Sequence, residues 1–152
     1  MHNEYECSFK TNDIKKYINY CENNNYEKVL FTNQIRKLYK NGTKYMARIT
    51  INDNNTIFDF KEDKLEEDKL FKNRKESEEL IVTPDLESFV YSILDTLEYK
   101  LVKELKRIRY INKKDNIKFE IDEYLFPKKE NVIAIEGDKL LVDEVYQIIK
   151  DL

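Results

Sequence analysis

A chain of 152 residues falls within the usual span of one domain, and 41% hydrophobic residues with 12% aromatics supply enough core material to exclude disorder, although 38% of residues are charged. The net charge of −3 leaves no basic field over the whole molecule, which argues against a nucleic-acid backbone or an anionic membrane as partner, so any anion site must be local.

In chain order, the first expected strand covers residues 4 to 9, where Glu4, Glu6 and Ser8 alternate with Tyr5, Cys7 and Phe9. Thr11, Asn12 and Asp13 offer caps for a helix whose apolar stripe is Ile14, Tyr17, Ile18 and Cys21. A strand over about 28 to 39 follows, and Asn41-Gly42 turns it into a strand over 45 to 51, in which Arg48 and Thr50 face away from Ala47, Ile49 and Ile51. Residues Asn52 to Asn55 make the next turn, and the strand at 56 to 61 sets Asp59 and Lys61 against Phe58 and Phe60. The charge-dense stretch from 62 to 72 reads as a solvated connection or an exposed helical turn, and one strand is predicted over 73 to 82.

Thr83 as cap and Pro84 at the first helical position open a second helix with the stripe Leu86, Phe89, Val90, Ile93 and Leu97. Strands at 101 to 111, 117 to 123 and 132 to 136 come next. The second of these sets Lys118, Glu120 and Asp122 against Ile117, Phe119 and Ile121, and the third sets Glu136 against Ile133 and Ile135. Past Gly137 and Asp138, a third helix carries Leu141, Val145, Ile148 and Ile149 to the C-terminus.

One polar face per strand is ordinary in a sheet that meets water. These faces, however, carry acids and bases at alternate positions rather than mixed neutral polar residues. Eight strands of this kind can close into a barrel with the polar face inward and the helices over the apolar outside. The expectation is therefore an α+β fold over residues 1–152, a closed eight-stranded antiparallel β-barrel with a charged interior, flanked by three helices. Carboxylates crowded inside it repel one another unless bases, metal or water compensate; Arg48, Lys61, Arg74, Arg107 and Arg109 supply part of that compensation. A polyanion suits such an interior, because cations grip phosphoryl oxygens while carboxylates hold a hard divalent metal.

Other features read as structure. Cys7 and Cys21 are too few for a disulfide framework and lie on apolar faces, which points to packing rather than nucleophilic chemistry. His2 is the sole histidine, so no histidine zinc site is expected. Gly42 and Gly137 are the only glycines, too few for a glycine-rich phosphate loop. With no signal-peptide pattern and no apolar run approaching the roughly 20 residues that span a bilayer, the protein is expected to be cytoplasmic and free of membrane.

The residues resemble the CYTH, or triphosphate tunnel metalloenzyme, family of thiamine triphosphatases, inorganic triphosphatases and class IV adenylate cyclases, nearly end to end. Glu4-Tyr5-Glu6 is similar to its opening E-x-E strand. Met46-Ala47-Arg48-Ile49-Thr50 is similar to its L-R-I-R strand, and Phe58-Asp59-Phe60-Lys61 to the strand ending in a phosphate-binding lysine. Arg74-Lys75-Glu76-Ser77-Glu78 resembles R-x-E-x-E. Lys106-Arg107-Ile108-Arg109-Tyr110 resembles K-x-R with its following tyrosine, either arginine filling the family position. Ile121-Asp122-Glu123-Tyr124, Pro127 and Ile133-Ala134-Ile135-Glu136-Gly137 resemble the D-x-W/V, Pro and E-I-E-G ending.

This resemblance implies catalysis around Glu4, Glu6 and Glu136 as ligands of Mg²⁺ or Mn²⁺, with Arg48, Lys61, Arg74, Arg107 and Arg109 binding substrate. Glu76, Glu78, Glu120 and Asp122 would complete an acidic lining. The implied partner is a triphosphate-containing small molecule, acted on by a monomer or homodimer. Three positions depart from the pattern: Ser8 replaces a lysine, Thr50 the second arginine of R-x-R, and Ala134 the first glutamate of E-I-E. Metal-dependent triphosphate hydrolysis is thus expected. A nucleotide- or polyphosphate-binding protein without turnover and an adenylate cyclase are the alternatives.

Overall fold

Polar and apolar residues alternate along the long strands, and in the computed structural model the apolar face turns outward, toward the helices. The structure describes residues 1–64 and 69–152; residues 65–68, within the charge-dense 62–72 stretch, lie outside the described residues. The elements are β1 (His2–Thr11), α1 (Lys15–Asn23), β2 (Glu27–Lys40), β3 (Tyr45–Asn52), β4 (Thr56–Glu62), β5 (Phe71–Glu76), β6 (Leu80–Ile81), α2 (Glu87–Thr96), β7 (Lys100–Lys114), β8 (Ile117–Phe126), β9 (Glu130–Gly137) and α3 (Lys139–Ile149). Neighbouring strands run β3-β2-β7-β8-β9-β1-β5-β4, and β4 pairs back onto β3. Every pairing is antiparallel, so the eight strands form the expected closed barrel, with β6 an additional short strand on β4. Among the described residues no helix is long and apolar enough to cross a membrane.

Two apolar cores lie outside the barrel wall. In one, α1 and α3 cover β1, β8 and β9 through Tyr17, Cys21, Val142 and Ile149 against Cys7, Phe119, Ile121, Ile133 and Ile135. In the other, α2 covers β3 and β4 through Val90 and Leu94 against Ala47, Ile49 and Phe58. Burying an aliphatic or aromatic side chain of this size contributes about 1.5–3 kcal/mol. The stability that an ordinary small barrel draws from its interior therefore comes from its exterior here, which frees the interior for charge. Cys7 and Cys21 are part of the first core, and burial pushes both thiols up to about 12, consistent with packing roles.

Several local expectations are corrected. The single strand predicted over 73 to 82 is two, β5 and β6. At Ser77 the chain leaves β1 and crosses to β4: the Ser77 amide donates to the Phe60 carbonyl at 2.9 Å and the Ser77 hydroxyl accepts from the Phe60 amide at 2.8 Å. This corner closes the barrel, because β4 and β5 share only the register pair Lys61↔Glu76. Residues 84 to 86 form a turn and α2 begins at Glu87, so its buried residues are Val90 and Leu94, whereas Phe89 is 64% exposed. In α3 Val142 and Ile149 are buried and Ile148 faces solvent. Both helices carry apolar residues over more than one overlapping stripe, and periodicity alone does not select between them.

The junction after β9 is tightly specified. Gly137 has φ +145°, and a Cβ there would lie 1.9 Å from the Asn116 carbonyl oxygen, so only glycine fits. The next residue, Asp138, caps α3 by accepting from the Leu140 and Leu141 amides. Glu136 is thereby held between a strand pairing and a helix start.

Candidate functional site

Inside the barrel the strands enclose a cavity of about 420 Å³, a volume suited to a small ligand. Its lining follows from register, since residues paired across neighbouring strands share a face. The pairs Glu6↔Glu136, Arg48↔Asp59, Arg109↔Asp122, Arg107↔Gln34 and Arg36↔Thr50 therefore all point inward.

The β1–β9 side is acidic. Carboxylate oxygens of Glu4, Glu6 and Glu136 all lie within 4.8 Å of one another. Each carboxylate already meets a base from elsewhere in the lining: Lys61 donates to Glu4 at 2.8 Å, Arg74 to Glu6 at 3.0 Å, and Lys118 pairs with Glu136 at 2.8 Å. That compensation is incomplete. Burial, then the neighbouring Glu120, push the Glu136 carboxyl well above the usual range, while burial and the Glu76 carboxyl raise Glu4. One oxygen of Glu76 is buried without a hydrogen-bond partner. Crowded oxygens with raised proton affinity and an orphaned acceptor fit a hard divalent cation such as Mg²⁺ or Mn²⁺.

The basic residues are unequal. Arg48 is locked by both oxygens of Asp59 and by Glu76 at 2.9 Å. Arg109 is locked by Asp122 at 2.7 and 2.8 Å and by Glu120 at 2.8 Å. Burial works against the charged Glu120, but Arg109 and Lys118 outweigh it and hold this carboxyl well below its ordinary range. Arg107 is served mainly by neutral groups, donating to Gln34 at 2.6 Å and to the Tyr124 hydroxyl at 2.8 Å, with Asp122 at 3.6 Å; its Nη2 is buried without a partner. Arg36 donates to the Thr50 hydroxyl at 3.0 Å. Burial, then Arg107, Arg48 and Arg109, press its proton affinity well below the ordinary value. A guanidinium stays protonated in a protein, so this pressure amounts to an unmet need for an anion.

The cavity thus gathers Glu4, Glu6, Glu136, Arg48, Lys61, Arg74, Arg107, Arg109, Glu76, Glu120 and Asp122. Glu78 does not join them: it lies past the Ser77 corner, its side chain 93% exposed and 3.9 Å from His2. Asp59 and Lys118 take part as partners of Arg48 and Glu136, although sequence reasoning placed them only on polar strand faces. Arg36 was missed. Its one signal is the spacing Gln34, Arg36, Leu38, which puts it on the face of β2 that pairs with Arg48 and Thr50. Ser8, Thr50 and Ala134 line the cavity, so the three departures from the family pattern bear directly on it.

No family model and no curated protein matches the chain. Among solved structures, PH1012 from Pyrococcus horikoshii OT3 is 19% identical and superposes with a TM-score of 0.71 over 97% of this chain and 86% of that one. A Hippeastrum protein described as a candidate adenylyl cyclase with a dominant triphosphatase activity is 12% identical, with a TM-score of 0.70 over 97% and 85% of the two chains. A chain of the Schizosaccharomyces pombe Mediator head module is 10% identical, with a TM-score of 0.70 over 99% and 96%. These likenesses establish the barrel. One architecture found both in a protein with triphosphatase activity and in the Mediator head module leaves the chemistry to be read from the lining.

Proposed function

We propose that this chain is a divergent triphosphate tunnel metalloenzyme that hydrolyses the terminal phosphoanhydride of an inorganic, nucleoside or thiamine triphosphate inside its barrel. The observation that carries this reading is polarity within one cavity: three carboxylates within 4.8 Å on the β1–β9 side, and arginines short of carboxylates on the β2–β7 side. Glu4, Glu6 and Glu136 would hold a divalent metal, which when bound supplies Lewis-acid stabilisation of charge on phosphoryl oxygens. Arg107, through its orphaned nitrogen, would take one phosphoryl oxygen. Lys61, Arg74 and Lys118, which now neutralise the acidic triad, would be free to turn to phosphate once a metal neutralises it. Arg48 and Arg109, held by two carboxylates each, would add positive potential and keep the wall in shape.

A second reading, binding without turnover, draws on the Ser8↔Ala134 pair, which ends the acidic wall beyond Glu6 and Glu136. Phosphate release from tripolyphosphate, ATP and thiamine triphosphate with Mg²⁺ or Mn²⁺, beside a Glu4→Gln/Glu6→Gln double variant, separates the two. Turnover that drops at least about a hundredfold in the variant supports hydrolysis, the scale on which a group stabilising transition-state charge acts. Ligand-induced thermal stabilisation without turnover assigns the binding role, and cyclic nucleotide formed from ATP would assign the cyclase. The absence of both binding and turnover would overturn the proposal.

A further inference from the structure

We infer that Arg36 is an anion-binding residue of the cavity, the seat for a phosphoryl group on the wall facing the acidic triad; the inference rests on the triphosphate reading above. In the ring of eight strands β2 stands opposite β1: β7, β8 and β9 separate them on one side and β3, β4 and β5 on the other. Arg36 on β2 and Glu4 and Glu6 on β1 therefore approach the same cavity from opposed walls, and both line it. An eight-stranded barrel is just wide enough for its side chains and one small ligand, so a ligand held between these walls meets both.

Arg36 differs from the other arginines of the lining in its partners. Arg48, Arg74 and Arg109 each donate to carboxylates, whereas Arg36 donates to a threonine hydroxyl and, among the described residues, forms no ion pair. Its inward diagonal neighbour across β2 and β7 is Arg107, whose Nη2 is an orphaned donor on a side chain only 3% exposed. Two cations side by side on one wall of the cavity, a half-buried Arg36 without an acid and a buried Arg107 with an unused donor, form a half-built site. The missing half is an oxyanion with several acceptors.

This arrangement weakens the empty protein, because like charges are crowded at low dielectric, and it gains only when an anion arrives. A framework role predicts the reverse, since a side chain that merely fills and ties the wall costs stability when removed. The test is Arg36→Met, which keeps most of the bulk and removes the charge, with Arg36→Lys as the variant that retains a point charge without the planar fork. Tripolyphosphate binding in Mg²⁺ is followed by calorimetry, and the melting temperature of each ligand-free protein by thermal unfolding.

The expected result is an Arg36→Met protein that melts at or above the unaltered protein's temperature yet binds tripolyphosphate about ten- to a hundredfold more weakly, the scale of charge-assisted hydrogen bonds. Arg36→Lys should recover part of that loss. Equal affinity of Arg36→Met and the unaltered protein would overturn the inference while leaving the triphosphate reading intact. So would a lowered melting temperature with binding that Arg36→Lys fails to recover, which assigns the residue to the framework. No tripolyphosphate binding by the unaltered protein would overturn both.

Discussion

On the wall built by β1 and β9, each carboxylate of the acidic triad already holds a lysine or arginine, whereas on the wall built by β2 and β7 Arg36 holds only a hydroxyl and Arg107 keeps a buried nitrogen without an acceptor. A buried charge is tolerable when paired and hydrogen-bonded and costly when it is not. The first wall is acidic and covered by bases; on the second, Arg109 is paired with carboxylates but Arg36 and Arg107 are not fully supplied with acceptors. Two arginines of the lining are instead held by two carboxylates each: Arg48 on β3 by Asp59 and Glu76, and Arg109 on β7 by Asp122 and Glu120. Pairing therefore separates side chains that keep the barrel in shape from side chains that wait for a ligand.

The strongest way to break that distinction is to remove the acid from a paired set. Asp59→Ala deprives Arg48 of both Asp59 oxygens and leaves it with Glu76 alone. Breaking a buried ion pair from one side costs about 3–5 kcal/mol, so the variant should lose that much unfolding free energy in urea titrations. Arg36→Met, removing an arginine that lacks a carboxylate, should lose none. A loss for Asp59→Ala below about 1 kcal/mol would mean that the pair behaves as a solvated surface contact and that the contrast between the two arginines does not hold.

A smaller, pH-dependent difference sharpens the same comparison from the acidic side. Glu136 and Glu4 have folded-state values raised from the ordinary 4.5, so the stability they contribute is fully present below 4.5 and is lost as pH rises through those values. Glu120 and Glu76 are lowered from 4.5; their contribution is present above 4.5 and is lost as pH falls through their folded values. The two effects occupy opposite sides of 4.5. Between pH 4.5 and 7 the metal-free protein should therefore lose stability through the raised pair, and Glu136→Gln should flatten that decline in urea midpoints. Parallel curves for the two proteins would show that Glu136 carries no excess proton affinity.

Much of this was legible in the sequence because it rests on alternation. A period of two with acids and bases on one face and Ile, Phe and Tyr on the other is enough to turn a sheet inside out, and the cavity lining follows from it. The closed barrel follows from that pattern and the three helices from a 3.6-residue period, whereas the grouping of Glu4, Glu6 and Glu136 was implied by the resemblance to the triphosphate tunnel family and not by alternation. What alternation does not encode is where pairing changes partner. Residues 73 to 82 alternate through Ser77, yet the chain there exchanges β1 for β4, and the exchange depends on hydrogen bonds between Ser77 and Phe60 that lie far apart in sequence. Arg36 was hidden for a related reason: its importance lies in its neighbours on β3 and β7, and in the acid that none of them supplies.

Glu78 is where that blind spot yields the smallest predicted effect. Continued alternation from Arg74 and Glu76 would point it into the cavity. The corner at Ser77 instead sends it outward beside His2, with no share in the acidic wall. Glu78→Ala should therefore leave metal-dependent phosphate release within about twofold, the scale of an ordinary surface substitution. Glu4→Gln/Glu6→Gln serves as the contrasting loss. If Glu78→Ala fell as far as that double variant, Glu78 would have to act in the cavity alongside Glu79, which lines it from beyond the Ser77 corner, and the outward placement of the Glu78 side chain would be wrong.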